Sequence, residues 1–239
     1  MGNKVNRAHL EGAKKTGCLN LSDSNMKELP PQLIRMADCL RNLDISHNKL
    51  NKLPSNMETF VTLKILNISF CNLKELPNSI NTLVKLENLI ANNNDIAQLP
   101  DTFVALKNLK NLSLNLNKFK MFPQQILSLG SLTTLDLSNN LIVKLPNEIE
   151  LIQCIEINLN YNQLTQLPEG LSKCPRLKVI RLEHNSLTPH SIPPSIFRDS
   201  TLCIISLDGN KFLHKDLQNS PGYSEYMERY TLNKKKYEY

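Results

Sequence analysis

The stretch LRNLDISHNKLNKLP, residues 40–54, returns as LKILNISFCNLKELP at 63–77 and as LENLIANNNDIAQLP at 86–100. LKNLSLNLNKFKMFP follows at 109, LTTLDLSNNLIVKLP at 132, CIEINLNYNQLTQLP at 154, LKVIRLEHNSLTPH at 177 and LCIISLDGNKFLHK at 202. A degenerate first copy, TGCLNLSDSNMKELP, starts at 16. Nine units with starts 22 to 25 residues apart are self-similarity of the kind that builds a solenoid, in which each unit is one coil stacked on the last.

Each place in the unit has a physical task. The L-x-L core alternates, so a short strand sends its apolar side chains inward and the residues between them to solvent. A single coil cannot bury that face, but a stack of coils buries it continuously. The ninth place holds Asn48, Asn94, Asn117, Asn140, Asn162, Asn185 and Asn210. There the chain turns inward, and an inward amide can both donate to and accept from the backbone of neighbouring coils. Ser24 and Cys71 replace it in two units. The Leu-Pro pairs, such as Leu53-Pro54 and Leu145-Pro146, start the outer side of the coil, where proline suits the first turn of a short helix or 3₁₀ segment. Apolar pairs three apart, such as Ile80 with Leu83 and Phe103 with Leu106, mark one face of that turn. In the eighth unit the pair is displaced to Ile192-Pro193 behind Thr188-Pro189-His190, which predicts a bulged loop.

The expected fold is therefore an α/β solenoid, a horseshoe with a parallel concave sheet and short helical, 3₁₀ and extended segments on its convex side. Residues 1–15 are expected to form an N-terminal cap helix, 16–212 the repeats, and 213–239 a C-terminal cap. The last holds Leu217, Tyr223, Tyr226, Met227 and Tyr230 and carries the basic run Lys234-Lys235-Lys236 near its end. Caps are needed because solenoid ends expose apolar edges and unpaired strand groups.

The net charge of +6 sits at the ends: residues 1–15 carry +3, residues 211–239 carry +2, and the long middle only +1. That argues against a nucleic-acid stripe along the body, whereas basic termini suit the inner surface of a membrane. The six cysteines stand singly, with no C-x-x-C pair to close a disulfide cap, which fits a reducing compartment. The sequons at Asn20, Asn67 and Asn111 fall at recurring strand positions and read as by-products of the repeat.

Function is sought on the solvent-facing strand positions and the row just beyond them. The candidate partner-binding residues are Asp44, His47, Phe70, Ile90, Asn93, Leu116, Asp136, Tyr161, Arg181, Glu183 and His184, with Phe70, Leu116 and Tyr161 as the large anchors. Third places such as Ser46, Ser69 and Ser138 are expected to face solvent with them. No G-x-S-x-G, P-loop, H-E-x-x-H or G-x-G-x-x-G occurs, so no catalytic, metal-ligating or cofactor-binding residue is nominated. Arg181, Glu183 and His184 form the one charged cluster that keeps a small enzyme in view. Met1-Gly2-Asn3-Lys4 matches the start of an N-myristoylation signal at Gly2, with Asn6 where Ser or Thr is usual.

The 23-residue consensus with its Leu-Pro ending resembles the Ras-group intracellular leucine-rich-repeat proteins. The ends, RAHLEGAKKTG near the start and GYSEYMERYTLNKKK near the finish, narrow the resemblance to a small, all-solenoid member of that group. The resemblance implies N-myristoylation at Gly2 and no transferable catalytic residue. The expected function is a non-catalytic adaptor in intracellular signalling. It would be cytoplasmic and peripheral to the membrane through its lipid and basic termini, and its concave face would bind a small GTPase or another signalling protein. The alternative is a soluble cytosolic or nuclear scaffold that docks a phosphatase or ligase component. No small-molecule substrate is expected under either.

Overall fold

The computed structural model describes residues 7–54 and 56–237. They fall into two compact units. The first is the chain up to Lys118 together with Leu129–Leu132, and the second is Phe119–Ser128 together with the chain from Thr133 onward. Gly2, the expected lipidation position, lies outside the described residues.

The first unit begins with helix α1 (Arg7–Thr16) and holds strands β1 (Cys18–Asn20), β2 (Asn42–Asp44), β3 (Ile65–Asn67), β4 (Asn88–Ile90) and β5 (Asn111–Ser113). A short helix, α2 (Pro31–Ile34), lies between the first two strands. Each strand pairs parallel with the next in unshifted register, so that Leu19, Leu43, Leu66, Leu89 and Leu112 stand in one file. That file is buried. Because side chains alternate, a slip of one residue would turn the whole file outward, so burial itself fixes the register. Strands β6 (Thr134–Asp136), β7 (Glu156–Asn158), β8 (Val179–Arg181) and β9 (Ile204–Ser206) belong to the second unit. There Leu135, Ile157, Ile180 and Ile205 continue the pattern, again with parallel pairing in unshifted register. Nine such strands stand among the described residues, one to each repeat read from the sequence.

The ninth-place asparagines perform the task read from the sequence. Asn94 Nδ2 donates to Ile68 O of the preceding coil at 3.0 Å, and to Ala91 O and Asn92 O of its own coil at 3.1 and 3.2 Å. Its Oδ1 accepts from the Cys71 and Leu73 amides at 3.1 and 2.9 Å. Asn48, Asn117, Asn162 and Asn185 repeat the arrangement. Cys71 fills the place with a thiol that reaches Ile45 O at 3.2 Å. Burial pushes its pKa up, which keeps the proton that this contact needs.

In five coils the proline leads into a five-residue 3₁₀ helix, after Leu-Pro at Asn78–Thr82, Asp101–Ala105, Asn147–Leu151 and Glu169–Lys173 and after Phe122-Pro123 at Gln124–Ser128. The proline carbonyl accepts from the third residue on, as in Ile80 N to Pro77 O at 3.0 Å. Three residues per turn bring Ile80 and Leu83 onto the same inward line, and both are buried. The displaced eighth unit makes a 3₁₀ turn at Pro189–Ser191 and then helix α3 (Pro194–Arg198), which buries Ile196 and Phe197.

Helix α4 (Tyr223–Tyr237) closes the second unit. The Tyr226 hydroxyl accepts the Ile205 amide at 3.1 Å, an N–H on the open side of β9. Arg229 Nε donates to Leu202 O at 3.1 Å, and its guanidinium also reaches Phe197 O and Arg198 O. Leu217 and Tyr223 are buried with Tyr226, whereas Met227 is half-buried and Tyr230 is exposed.

Candidate interaction surface

The row after each strand has a backbone property that its sequence does not announce. Asp23, His47, Phe70, Asn93, Leu116, Asn139, Tyr161 and His184 have φ between 52° at Asn93 and 56° at Phe70, and Gly209 has 74°. This is the left-handed region, which asparagine, aspartate and glycine enter readily and larger side chains enter at a cost of about 1–2 kcal/mol. The turn imposes it, because the same amides stay in the ladder: His47 N bonds Ser69 O and Phe70 N bonds Asn92 O, both at 2.9 Å. Asn93, Asn139 and Gly209 are thus the residues this backbone favours, while Phe70, Leu116 and Tyr161 are not. These three are also 42%, 46% and 51% exposed. Neither backbone conformation nor core burial accounts for their size.

Two of them are held in stacks. The rings of His47 and Phe70 lie 4.2 Å apart and 13° from parallel, and those of Tyr161 and His184 lie 4.3 Å apart and 12° from parallel. Coil spacing of about 4.8 Å makes parallel stacking the natural geometry for adjacent rings in one row. His184 in turn lies over Gly209, where a Cβ would come within 2.5 Å of its Nδ1. Each pair is therefore a planar plate with little freedom left to lose on binding. Beside the first plate is an open recess of about 410 Å³, lined by Asp23, Asn25, Lys49 and Asn72 as well as His47, Phe70 and Asn93. Lys49 and Asn72 were not among the sequence candidates. The left-handed turns at Asn25 and Asn72 position this rim, and their asparagines were the available signal.

The strand positions divide differently from expectation. Asp44 Oδ1 accepts from the Ser46 amide at 2.9 Å and its hydroxyl at 2.6 Å, while Oδ2 accepts from Asn67 Nδ2 at 3.2 Å. Asp136 makes the same double contact with Ser138. These carboxylates terminate their strands by bonding the backbone two residues on. Ser46, Ser69 and Ser138 are buried rather than solvent-facing as expected, because each is drawn in by the side chain two residues before it: Asp44, Asn67 and Asp136. Ile90 is half-buried on β4, and Asn93 is exposed beyond it.

The charged cluster is not one group. Arg181 forms an ion pair with Glu156, Glu183 accepts from Asn160 Nδ2 at 2.9 Å, and His184 stacks on Tyr161. Each of the three thus has its own partner, so they do not converge on a shared point. Among the described residues no three His, Cys, Asp or Glu side chains are grouped to hold a metal ion.

The Leucine Rich Repeat family profile matches residues 39–60, 62–83 and 131–151. A leucine-rich-repeat protein of Leptospira interrogans superposes on 87% of the chain with a TM-score of 0.73 at 28% identity. Together these likenesses show a leucine-rich-repeat fold. The leucine-rich-repeat domain of APL1B matches 88% of it with a TM-score of 0.70 at 22% identity. A plant peptide hormone receptor, RGFR1, solved in complex with RGF2, matches 88% with a TM-score of 0.62 at 24% identity. The chain spans 59%, 63% and 33% of these three proteins respectively. In leucine-rich-repeat terms, Asp44 and Asp136 are repeat-forming side chains, while Phe70, Leu116 and Tyr161 are additions that the repeat does not require.

Proposed function

We propose that the chain is a non-catalytic adaptor that binds a protein partner on its strand face, with Phe70, Leu116 and Tyr161 as anchors. The observation that carries this reading is their conjunction of large size, exposure and left-handed backbone, at places where the same row elsewhere uses asparagine, aspartate, histidine or glycine. Side chains kept against a local conformational cost are selected for something other than folding. Aromatic anchors already fixed by stacking lose little entropy on association. RGFR1, which shares the fold, was solved in complex with RGF2, which accords with a protein or peptide occupant.

The partner class follows from the Ras-group resemblance: a small GTPase or another intracellular signalling protein. Association with the inner membrane surface would come from an N-myristoyl group on Gly2 supplemented by basic residues, since a single acyl chain binds only marginally. The test is quantitative proximity labelling in cells with the wild-type chain and with Phe70→Asn/Leu116→Asn/Tyr161→Asn. Asparagine preserves the turn, so the expected result is a folded protein with a specific subset of its neighbours lost. An unchanged neighbour set would refute the anchors. Membrane association is read separately, from incorporation of a myristate analogue and fractionation of wild type against Gly2→Ala. A soluble scaffold would show no difference between the two.

A further inference from the structure

Charge in the first unit is polarised across the coils. The residues leading into each strand form one edge, where Arg41, Lys64, Lys85, Lys107 and Lys110 are all exposed. Helix α1 runs into the same edge with exposed Lys14 and Lys15 in its last turn. Its exit at Gly17 is fixed there by the Arg41 and Asn42 amides, which donate to Gly17 O at 2.7 and 3.0 Å. Among the described residues of these coils the carboxylates on this edge are Asp38 and Glu87, and α1 itself carries exposed Glu11. Glu87 sits between Lys64 and Lys110, at 2.9 and 2.7 Å, and holds the two ammonium groups at a set spacing. The flank that follows the strands is more nearly balanced: Lys27, Lys49, Lys52, Lys74 and Lys118 stand against Asp23, Glu28, Glu75 and Asp95.

Two further features qualify the basic edge. Val61 and Val84 are 42% and 47% exposed within it. No exposed aromatic side chain stands among its described residues. Single-stranded nucleic acid is held by cations together with aromatic stacking platforms, and the platform is missing. Cations in rows about a coil spacing apart, interspersed with small apolar side chains, match a flat anionic surface with an apolar interior.

We propose that this edge is a docking surface for an anionic lipid bilayer, lying alongside the strand face so that both are used at once. The proposal deepens, and rests on, the reading of the chain as a membrane-associated adaptor. It replaces the basic termini, as the source of electrostatic attraction, with a folded surface. Each basic residue near an anionic bilayer contributes about 1 kcal/mol, or roughly fivefold in partitioning.

The test is vesicle flotation with the unmodified full chain, using phosphatidylcholine vesicles with and without phosphatidylserine. The expected result is binding that needs phosphatidylserine and weakens as salt is raised. Arg41→Gln/Lys64→Gln/Lys85→Gln/Lys107→Gln/Lys110→Gln should lower partitioning at least about a hundredfold. Removing the same charge from the other flank, with Lys27, Lys49, Lys52, Lys74 and Lys118 changed to Gln, should lower it far less. If the first variant fails to fold, Lys85→Gln/Lys107→Gln, outside the Glu87 clamp, should still cost about twentyfold. Equal losses from the two flanks, or equal binding to vesicles lacking phosphatidylserine, would overturn the proposal. So would displacement from vesicles by a single-stranded RNA oligonucleotide at matched salt. Because no acyl group is present, failure of the Gly2 reading shows only in myristate labelling and leaves this result intact.

Discussion

Replacing Phe70 with asparagine separates a binding side chain from a structural one. Phe70 is a little over half buried, and its ring stacks on that of His47. Full burial of a large apolar side chain stabilises by about 1.5–3 kcal/mol, so the burial lost is about 1–1.5 kcal/mol. Loss of the stacked pair adds about 0.5–1 kcal/mol. Against this, asparagine relieves about 1 kcal/mol of left-handed backbone cost. The net destabilisation expected is about 1 kcal/mol, where the same change at fully buried Phe119 should cost at least the roughly 3–5 kcal/mol of a core phenylalanine truncation. Urea denaturation followed by circular dichroism measures both, with amide exchange in each unit to check that unfolding is cooperative. A loss of about 3 kcal/mol or more at Phe70 would place it in the folding core and remove the premise on which the anchors rest. Tyr161→Asn should behave in the same way, with the added release of His184 from its stack.

Asn94→Ala should be far costlier than its size suggests. It strips the Cys71 and Leu73 amides and the Ile68 carbonyl of a buried partner, at about 1–3 kcal/mol for each group left unsatisfied. Faster amide exchange at Cys71 and Leu73 would localise the damage; protection equal to wild type would contradict the assignment. Glu87 is held down from 4.5 to about 2, first by its hydrogen bond from Lys110 and then by that from Lys64. A lowered folded-state value favours the fold above the ordinary carboxylate range and is lost as pH falls toward about 2. An NMR titration of its carboxyl carbon should have a midpoint near 2 that rises in Lys64→Gln/Lys110→Gln, and a wild-type midpoint near 4.5 would refute the clamp. Burial raises the thiols of Cys154 and Cys174 to about 12, whereas Cys18 is exposed. Iodoacetamide at neutral pH should therefore modify Cys18 first and reach the buried pair only on unfolding. Early labelling of Cys154 would mean that the coil opens locally.

The repeat made the fold legible because every coil solves the same burial problem with the same residues. Leu43, Asn48 and Pro54 each declare an inward strand side chain, a buried amide and an outer turn, and their recurrence excludes other arrangements. The side chains available for binding were less legible. Alternation alone counted Ser46 and Ser138 as solvent-facing, yet the hydrogen bonds of Asp44 and Asp136 fold them under the strand end. The sequence grouped Arg181, Glu183 and His184 by proximity along the chain, but coil stacking gives each a partner in the preceding coil: Glu156, Asn160 and Tyr161. Sequence by itself determined the coil, its core and the row where Phe70, Leu116 and Tyr161 stand. Tertiary structure alone decided that this row is left-handed, that its rings stack, and that the lysines before each strand align along one edge. Those properties arise between residues more than twenty positions apart, brought within about 5 Å by coil stacking, and no local pattern records them.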